Sequence, residues 1–148
     1  MTDLKLIALD ADDLTVLSLH LQDAVVRVAD MAFLKGEKRF AAVVNRFDWE
    51  QAERPNVKAR ERNVRRRAGL RFERVLGAEV QGLDLAKADA VLSLLSVTFA
   101  PGEAPSGNVM MHFSGGSAIR LNVECIEAEL KDLGAAWAAK RKPEHGAS

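Results

Sequence analysis

The sequence predicts an α+β fold: a mainly antiparallel sheet of about seven strands, with one early helix and a closing C-terminal amphipathic helix. Two observations predict it. Most apolar residues recur at every second position in runs joined by short Gly-containing turns, the pattern of neighbouring antiparallel strands. Two other stretches instead space their apolar residues three and four apart, the pattern of a helix with one buried face.

The first strand is short, with Leu4, Leu6 and Ala8 on one face. Asp10 then suits an N-cap and Asp13 the first turn of a helix over about 11–22, which buries Leu14, Leu17 and Leu21. Two β-rich runs follow, Val25–Leu34 and Arg39–Trp49, and Lys35-Gly36-Glu37-Lys38 between them reads as a hairpin. From Asp48 to Ala68 the pattern fails: only Ala52, Val57, Ala59 and Val64 stand among charges, and Pro55 interrupts the stretch. Such a gap is longer than most loops of a compact domain.

Alternation resumes at Gly69 and runs through Leu70, Phe72, Val75, Ala78 and Val80. Leu92–Phe99 is apolar at odd and even positions alike, which predicts a central strand covered on both faces. Val109, Met111 and Phe113, then Gly115-Gly116, then Ile119, Leu121 and Val123 form the clearest hairpin. Ile126, Leu130, Leu133 and Trp137 are spaced 4, 3 and 4 apart and predict the last helix over about 124–139. Lys140, Arg141 and Lys142 suit its C-terminal end, and Pro143 stops it. The chain thus reads as one domain over 1–143, with a basic insertion at 48–68 and a tail at 144–148. This element list is similar to that of a pleckstrin-homology-like split barrel, although the early helix is foreign to its simplest version.

The 148 residues are enough for one core, and 48% are apolar against 28% charged, as in ordinary globular proteins. Lys plus Arg and Asp plus Glu are 21 each, which excludes a globally basic nucleic-acid coat protein. Met1–Asp13 carries Asp3, Asp10, Asp12 and Asp13 against Lys5 alone, unlike a secretory or transit segment. The uncharged runs Ala90–Gly102 and Ala104–Ile119 are broken by Ser, Gly or Pro, so the expected location is the cytoplasm. Cys125 is the sole cysteine, so neither an internal disulfide nor a cysteine-based zinc cluster can form.

The unusual feature is the segment from Glu53 to Arg74. Its nine bases are Arg54, Lys58, Arg60, Arg62, Arg65, Arg66, Arg67, Arg71 and Arg74, against Glu53, Glu61 and Glu73, a local charge of +6. The rest of the neutral chain therefore carries −6. Eight of the nine bases are arginines, whose planar fork matches carboxylate and phosphate oxygens in pairs. Phe47, Trp49 and Phe72 flank the segment and offer stacking surfaces. Three readings stay open: a solvated, salt-bridged excursion with Glu61 on Arg65; a contact with an acidic protein or a second subunit; and binding of nucleic acid or anionic lipid.

No catalytic residue, metal site or cofactor follows from the other candidates. Asp10, Asp12 and Asp13 resemble a small Mg²⁺-binding cluster, but a helix start accounts for them. Glu124, Glu127 and Glu129 fit the first turns of the expected last helix in the same way. His20, His112 and His145 are far apart in sequence, and His112 faces outward from its strand. Gly115-Gly116 lacks the lysine and the strand-to-helix setting of a phosphate loop. Cys125 near a helix start lacks a spaced histidine partner. A small enzyme working from these groups is the weakest reading, and a non-enzymatic interaction domain is the leading one.

Four stretches matter together: Leu21-Gln22-Asp23-Ala24-Val25, Asn45-Arg46-Phe47-Asp48-Trp49-Glu50, Arg65-Arg66-Arg67-Ala68-Gly69-Leu70-Arg71-Phe72 and Glu124-Cys125-Ile126-Glu127-Ala128. With them the chain resembles, over nearly its whole length, a family of small uncharacterised alphaproteobacterial proteins classed as a domain of unknown function. The resemblance implies a bacterial cytoplasmic protein. It implies no activity, cofactor or catalytic residue.

Overall fold

A computed structural model describes residues 3–48 and 65–134, and within them alternating apolar positions build an antiparallel sheet of ten strands. Strand β1 (Lys5–Ala8) leads into helix α1 (Ala11–Leu21). The Asp10 side chain accepts the Asp13 N–H at 2.8 Å, and Asp13 in turn accepts the Leu9 N–H at 3.0 Å, which caps the helix from both sides. Leu14, Leu17 and Leu21 are its buried stripe.

The run from Val25 to Leu34 is two strands, β2 (Val25–Arg27) and β3 (Met31–Leu34), separated by a 3-10 turn at Val28–Asp30. β4 (Arg39–Phe47) is long enough to take both along one edge, β3 on its first half and β2 at Asn45. The expected hairpin at residues 35–38 joins β3 to β4, with Lys38 in the left-handed region at φ 52°. β5 (Arg65–Phe72) pairs along the other edge of β4, from Phe40 with Phe72 to Phe47 with Arg65. The last four residues of the 48–68 stretch are therefore sheet; residues 49–64 lie outside the described part.

β6 (Val75–Gln81), β7 (Val91–Pro101), β8 (Gly107–Phe113), β9 (Ala118–Val123) and β10 (Ala128–Asp132) complete the sheet. The β8–β9 hairpin turns at Ser114–Gly116, where Gly115 and Gly116 adopt φ 84° and 87°, angles that side-chain-bearing residues rarely take. The hydrogen-bonded order is β1-β10-β5-β4-β2-β7-β8-β9-β6, with β3 on the flank of β4. The path has open edges at β1 and β6 among the described residues, and the first strand lies beside the last.

Three expectations are corrected. The closing helix over 124–139 does not form in its described part, because Ala128–Asp132 is a strand wedged between β1 and β5. Ile126, Ala128, Leu130 and Asp132 are the buried set there, a period of two. Residues 135–139 lie outside the described part. With ten strands and no closing helix among the described residues, the element list differs from that of a seven-stranded split barrel. β7 is central in its hydrogen bonding but is not covered on both faces: Leu94 and Val97 are buried, whereas Val91 and Leu95 are exposed.

One face of the sheet holds the core. Phe40, Ala42 and Val44 meet Ala68, Leu70 and Phe72, and Met111, Phe113, Leu121 and Leu130 belong to the same buried cluster as Leu14, Leu17 and Leu21 of α1. α1 also closes the edge of β7 where β2 stops, since Ser18 Oγ accepts the Val97 N–H at 2.8 Å. Gly107 is buried against Phe99; a Cβ there would lie 2.5 Å from the Ala100 carbonyl oxygen.

Candidate basic face of the sheet

Residues of β5 alternate between the core and the outer face, so the Arg65-Arg66-Arg67 run is split by the pleat. Ala68, Leu70 and Phe72 point into the core, which puts Arg66 on that side and Arg65, Arg67, Gly69 and Arg71 on the outer face. The register extends these into rows across the outer face. Phe47 stands beside Arg65, and Asn45 beside Arg67. Val43, Gly69, Lys131 and Lys5 form one row, and Ala32, Ala41, Arg71, Glu129 and Ile7 another. Because Gly69 has no side chain and Ala32 and Ala41 have only methyl groups, the face is hollow at its centre. The hollow is a groove of about 460 Å³, with Leu133 at its rim.

Arg65 is exposed and held in place. Its guanidinium donates to the backbone carbonyls of Asp23 at 2.7 Å and Asn45 at 3.4 Å, and it lies 5.7 Å from the centre of the Phe47 ring. Carbonyls and a ring carry no formal charge, so the Arg65 charge has no carboxylate counterpart among the described residues.

Arg71 is engaged. It binds Glu73 at 2.6 Å and Glu129 at 3.2 Å, while Arg39 reaches the same Glu73 at 2.9 Å and Glu37 at 3.3 Å. Burial alone would raise the Glu73 carboxyl, but hydrogen bonds from Arg71 and Arg39 hold it below the usual carboxylate range. The same Glu73 bond, aided by Glu129, holds Arg71 charged more firmly than usual.

On the core side, Arg66 binds Asp48 at 2.6 Å and stands 3.9 Å from Asp3. Beside it in the register is Arg46, which meets Asp132 through two bonds of 2.8 Å. Asp132 also accepts the Leu4 N–H at 2.9 Å. Burial by itself would raise the Asp132 carboxyl, yet these donors bring it below the ordinary value. The buried end of the sheet is thus a charged layer of matched arginines and aspartates.

Of the nine bases singled out in the sequence, the structure brings Arg65, Arg67 and Arg71 onto one face. It turns Arg66 inward and sends Arg74 to the turn after β5, where it lies 3.6 Å from Glu127. Carboxylates from outside the 53–74 segment thus balance part of its +6 locally: Asp48 for Arg66, Glu129 for Arg71, Glu127 for Arg74. Arg54, Lys58, Arg60, Arg62 and Trp49 lie outside the described residues.

The remaining candidates do not converge. Asp10 and Asp13 are occupied in capping α1, and His20 lies at its other end, about 15 Å away at the usual helical rise. His112 does face outward, with its Nε2 3.1 Å from Thr98 Oγ1. Glu124, Glu127 and Glu129 are not in a helix; the last two bind Arg74 and Arg71, and Glu124 is 3.8 Å from Lys38. Among the described residues, no three His, Cys, Asp or Glu side chains are grouped to hold a metal ion, and no helix is long and apolar enough to cross a membrane. Sequence reasoning missed Arg46, Asp132, Lys5, Lys131 and Gly69. A single signal existed for the first: Arg46 falls on the apolar phase of Phe40, Ala42 and Val44, where only a paired charge is tolerated.

No curated protein matches the chain, and no solved structure matches it. A family pattern does, over residues 4–145, and by that match the chain belongs to the family described as "Protein of unknown function (DUF2948)".

Proposed function

We propose that this chain is a non-enzymatic, cytoplasmic bacterial interaction domain that takes an acidic protein surface at the Phe47–Arg65 end of its outer sheet face. The observation that carries the reading is Arg65: a guanidinium fixed by two carbonyls and an aromatic ring, exposed, and without a carboxylate partner among the described residues. A cation already ordered loses little side-chain freedom when an anion arrives. The chain leaves the sheet after Phe47 and returns at Arg65, and the intervening sequence carries Arg54, Lys58, Arg60 and Arg62 against Glu50, Glu53 and Glu61. The paired Arg66, Arg71 and Arg74 serve the fold on this reading.

The test is an affinity pull-down with wild type and a variant in which Arg54, Lys58, Arg60, Arg62 and Arg65 are changed to Glu, each with and without nuclease. The expected result is an acidic protein partner, or a second copy of the chain, that the variant loses and nuclease spares. Binding of the purified partner should then weaken at least tenfold in the variant and fall with added salt. Equal recovery by both baits would overturn the proposal, and loss on nuclease treatment would replace it with nucleic-acid binding.

A further inference from the structure

We infer that the groove over Ala41, Val43 and Gly69 binds a small amphipathic carboxylate, with its aliphatic part in the groove and its head group at Lys5 and Lys131. This site is independent of the protein-binding role proposed above. The groove's floor and rim are mainly apolar, from Ala32, Ala41, Val43, Gly69 and Leu133, and its volume of about 460 Å³ falls in the range of small-molecule sites.

The charges around it give the ligand its sign. Four charged residues line the groove, and three are matched within the protein: Asp30 by Arg27 at 3.3 Å, and Arg71 and Glu129 by each other at 3.2 Å. The fourth, Lys131, is exposed and has no ion-pair partner among the described residues. Across the β1–β10 ladder it stands directly opposite Lys5, which is exposed and equally unmatched. Like charges directly opposite in an antiparallel pair oppose each other, and a bound anion removes that repulsion. Lysine heads are compact, strongly hydrated charges on mobile stems, suited to a solvent-facing carboxylate at the groove's mouth. An apolar tail on the floor and a carboxylate at the lysines satisfies both halves of the site.

Gly69 allows a direct test, because a Cβ there would make ordinary contacts, 3.9 Å from Leu133 Cδ2 and 4.0 Å from the Lys131 carbonyl oxygen. Gly69→Leu therefore extends side-chain atoms into the groove without a clash at Cβ. We would titrate the intact protein with decanoate below its micellar range and follow backbone amide shifts, with decylammonium as the charge control. Decanoate should shift the amides of Ala32, Ala41, Gly69 and Lys131 as one saturable set. Its affinity should fall at least tenfold in Lys5→Glu/Lys131→Glu and be lost in Gly69→Leu, with both variants keeping the wild-type spectrum elsewhere. Should Gly69→Leu fail to fold, the double lysine variant decides alone, because both lysines are exposed. The inference is overturned if millimolar decanoate leaves those amides unmoved, if decylammonium binds as well as decanoate, or if the lysine variant binds like wild type.

Discussion

Asp132 brings a carboxylate into the core at the end of β10 and survives there because everything around it donates. Arg46 supplies two bonds of 2.8 Å and the Leu4 N–H a third of 2.9 Å. The attraction between the charges chiefly offsets the cost of removing both from water, so the pair matters most when it is broken. Asp132→Asn should destabilise the protein by about 3–5 kcal/mol, because Arg46 stays buried without its countercharge. Replacing the pair together, Arg46→Met with Asp132→Leu, should recover most of that loss in urea denaturation. The acid side of the stability curve follows from the same contacts. The Asp132 and Glu73 carboxyls both lie below their usual range in the folded chain. Their contribution is complete above the unfolded-state value, near pH 4, and is lost as pH falls through the lower folded-state values. Unfolding midpoints should hold steady above about pH 5 and drop below about pH 4, and Asp132→Asn should flatten that acid limb.

At the scale of elements, the strands were legible wherever one face is apolar and the other polar. Val109–Phe113 and Ile119–Val123 around Gly115-Gly116, and the residue 35–38 hairpin, needed nothing beyond local alternation. The last element was not legible, because Leu130 belongs to two patterns at once. With Ile126, Leu133 and Trp137 it traces a helical stripe, and with Ile126, Ala128 and Asp132 it sits on a period of two. The strand reading places a charged Asp132 on the apolar side, and only the partner Arg46, 86 residues away in sequence, makes that admissible. The three consecutive arginines of β5 show the converse. They read as one basic patch in the sequence, whereas the pleat gives them separate environments. Arg66→Ala removes a half-buried charge from Asp48, itself 7% exposed, and should cost about 2 kcal/mol. Arg65→Ala removes an exposed side chain and should cost under about 1 kcal/mol. Equal losses in paired thermal denaturations would contradict this alternation.

For the molecule as a whole, the sheet order determines which parts can be removed. The basic face was half legible: composition singled out Arg65, Arg67 and Arg71, but its hollow is made by Gly69 and Ala41, whose meaning appears only when β4, β5 and β10 lie side by side. A chain whose C-terminal third ends in a closing helix keeps all its strand pairs when that helix is deleted. In the observed order the last strand is internal, pairing Lys5–Ala8 on one side and Ala68–Phe72 on the other. Cutting the chain before Glu124 therefore removes the Arg46 countercharge, strips β1 of its partner, and exposes Leu70 and Phe72, both now 1% exposed. Those losses are comparable to the roughly 5–15 kcal/mol margin of a typical domain. A 1–123 fragment should lose its cooperative thermal transition and bind a dye for exposed apolar surface, and adding a separate 124–148 peptide should restore part of the transition. A fragment that melts cooperatively by itself would mean that β10 is peripheral, contrary to its place between β1 and β5.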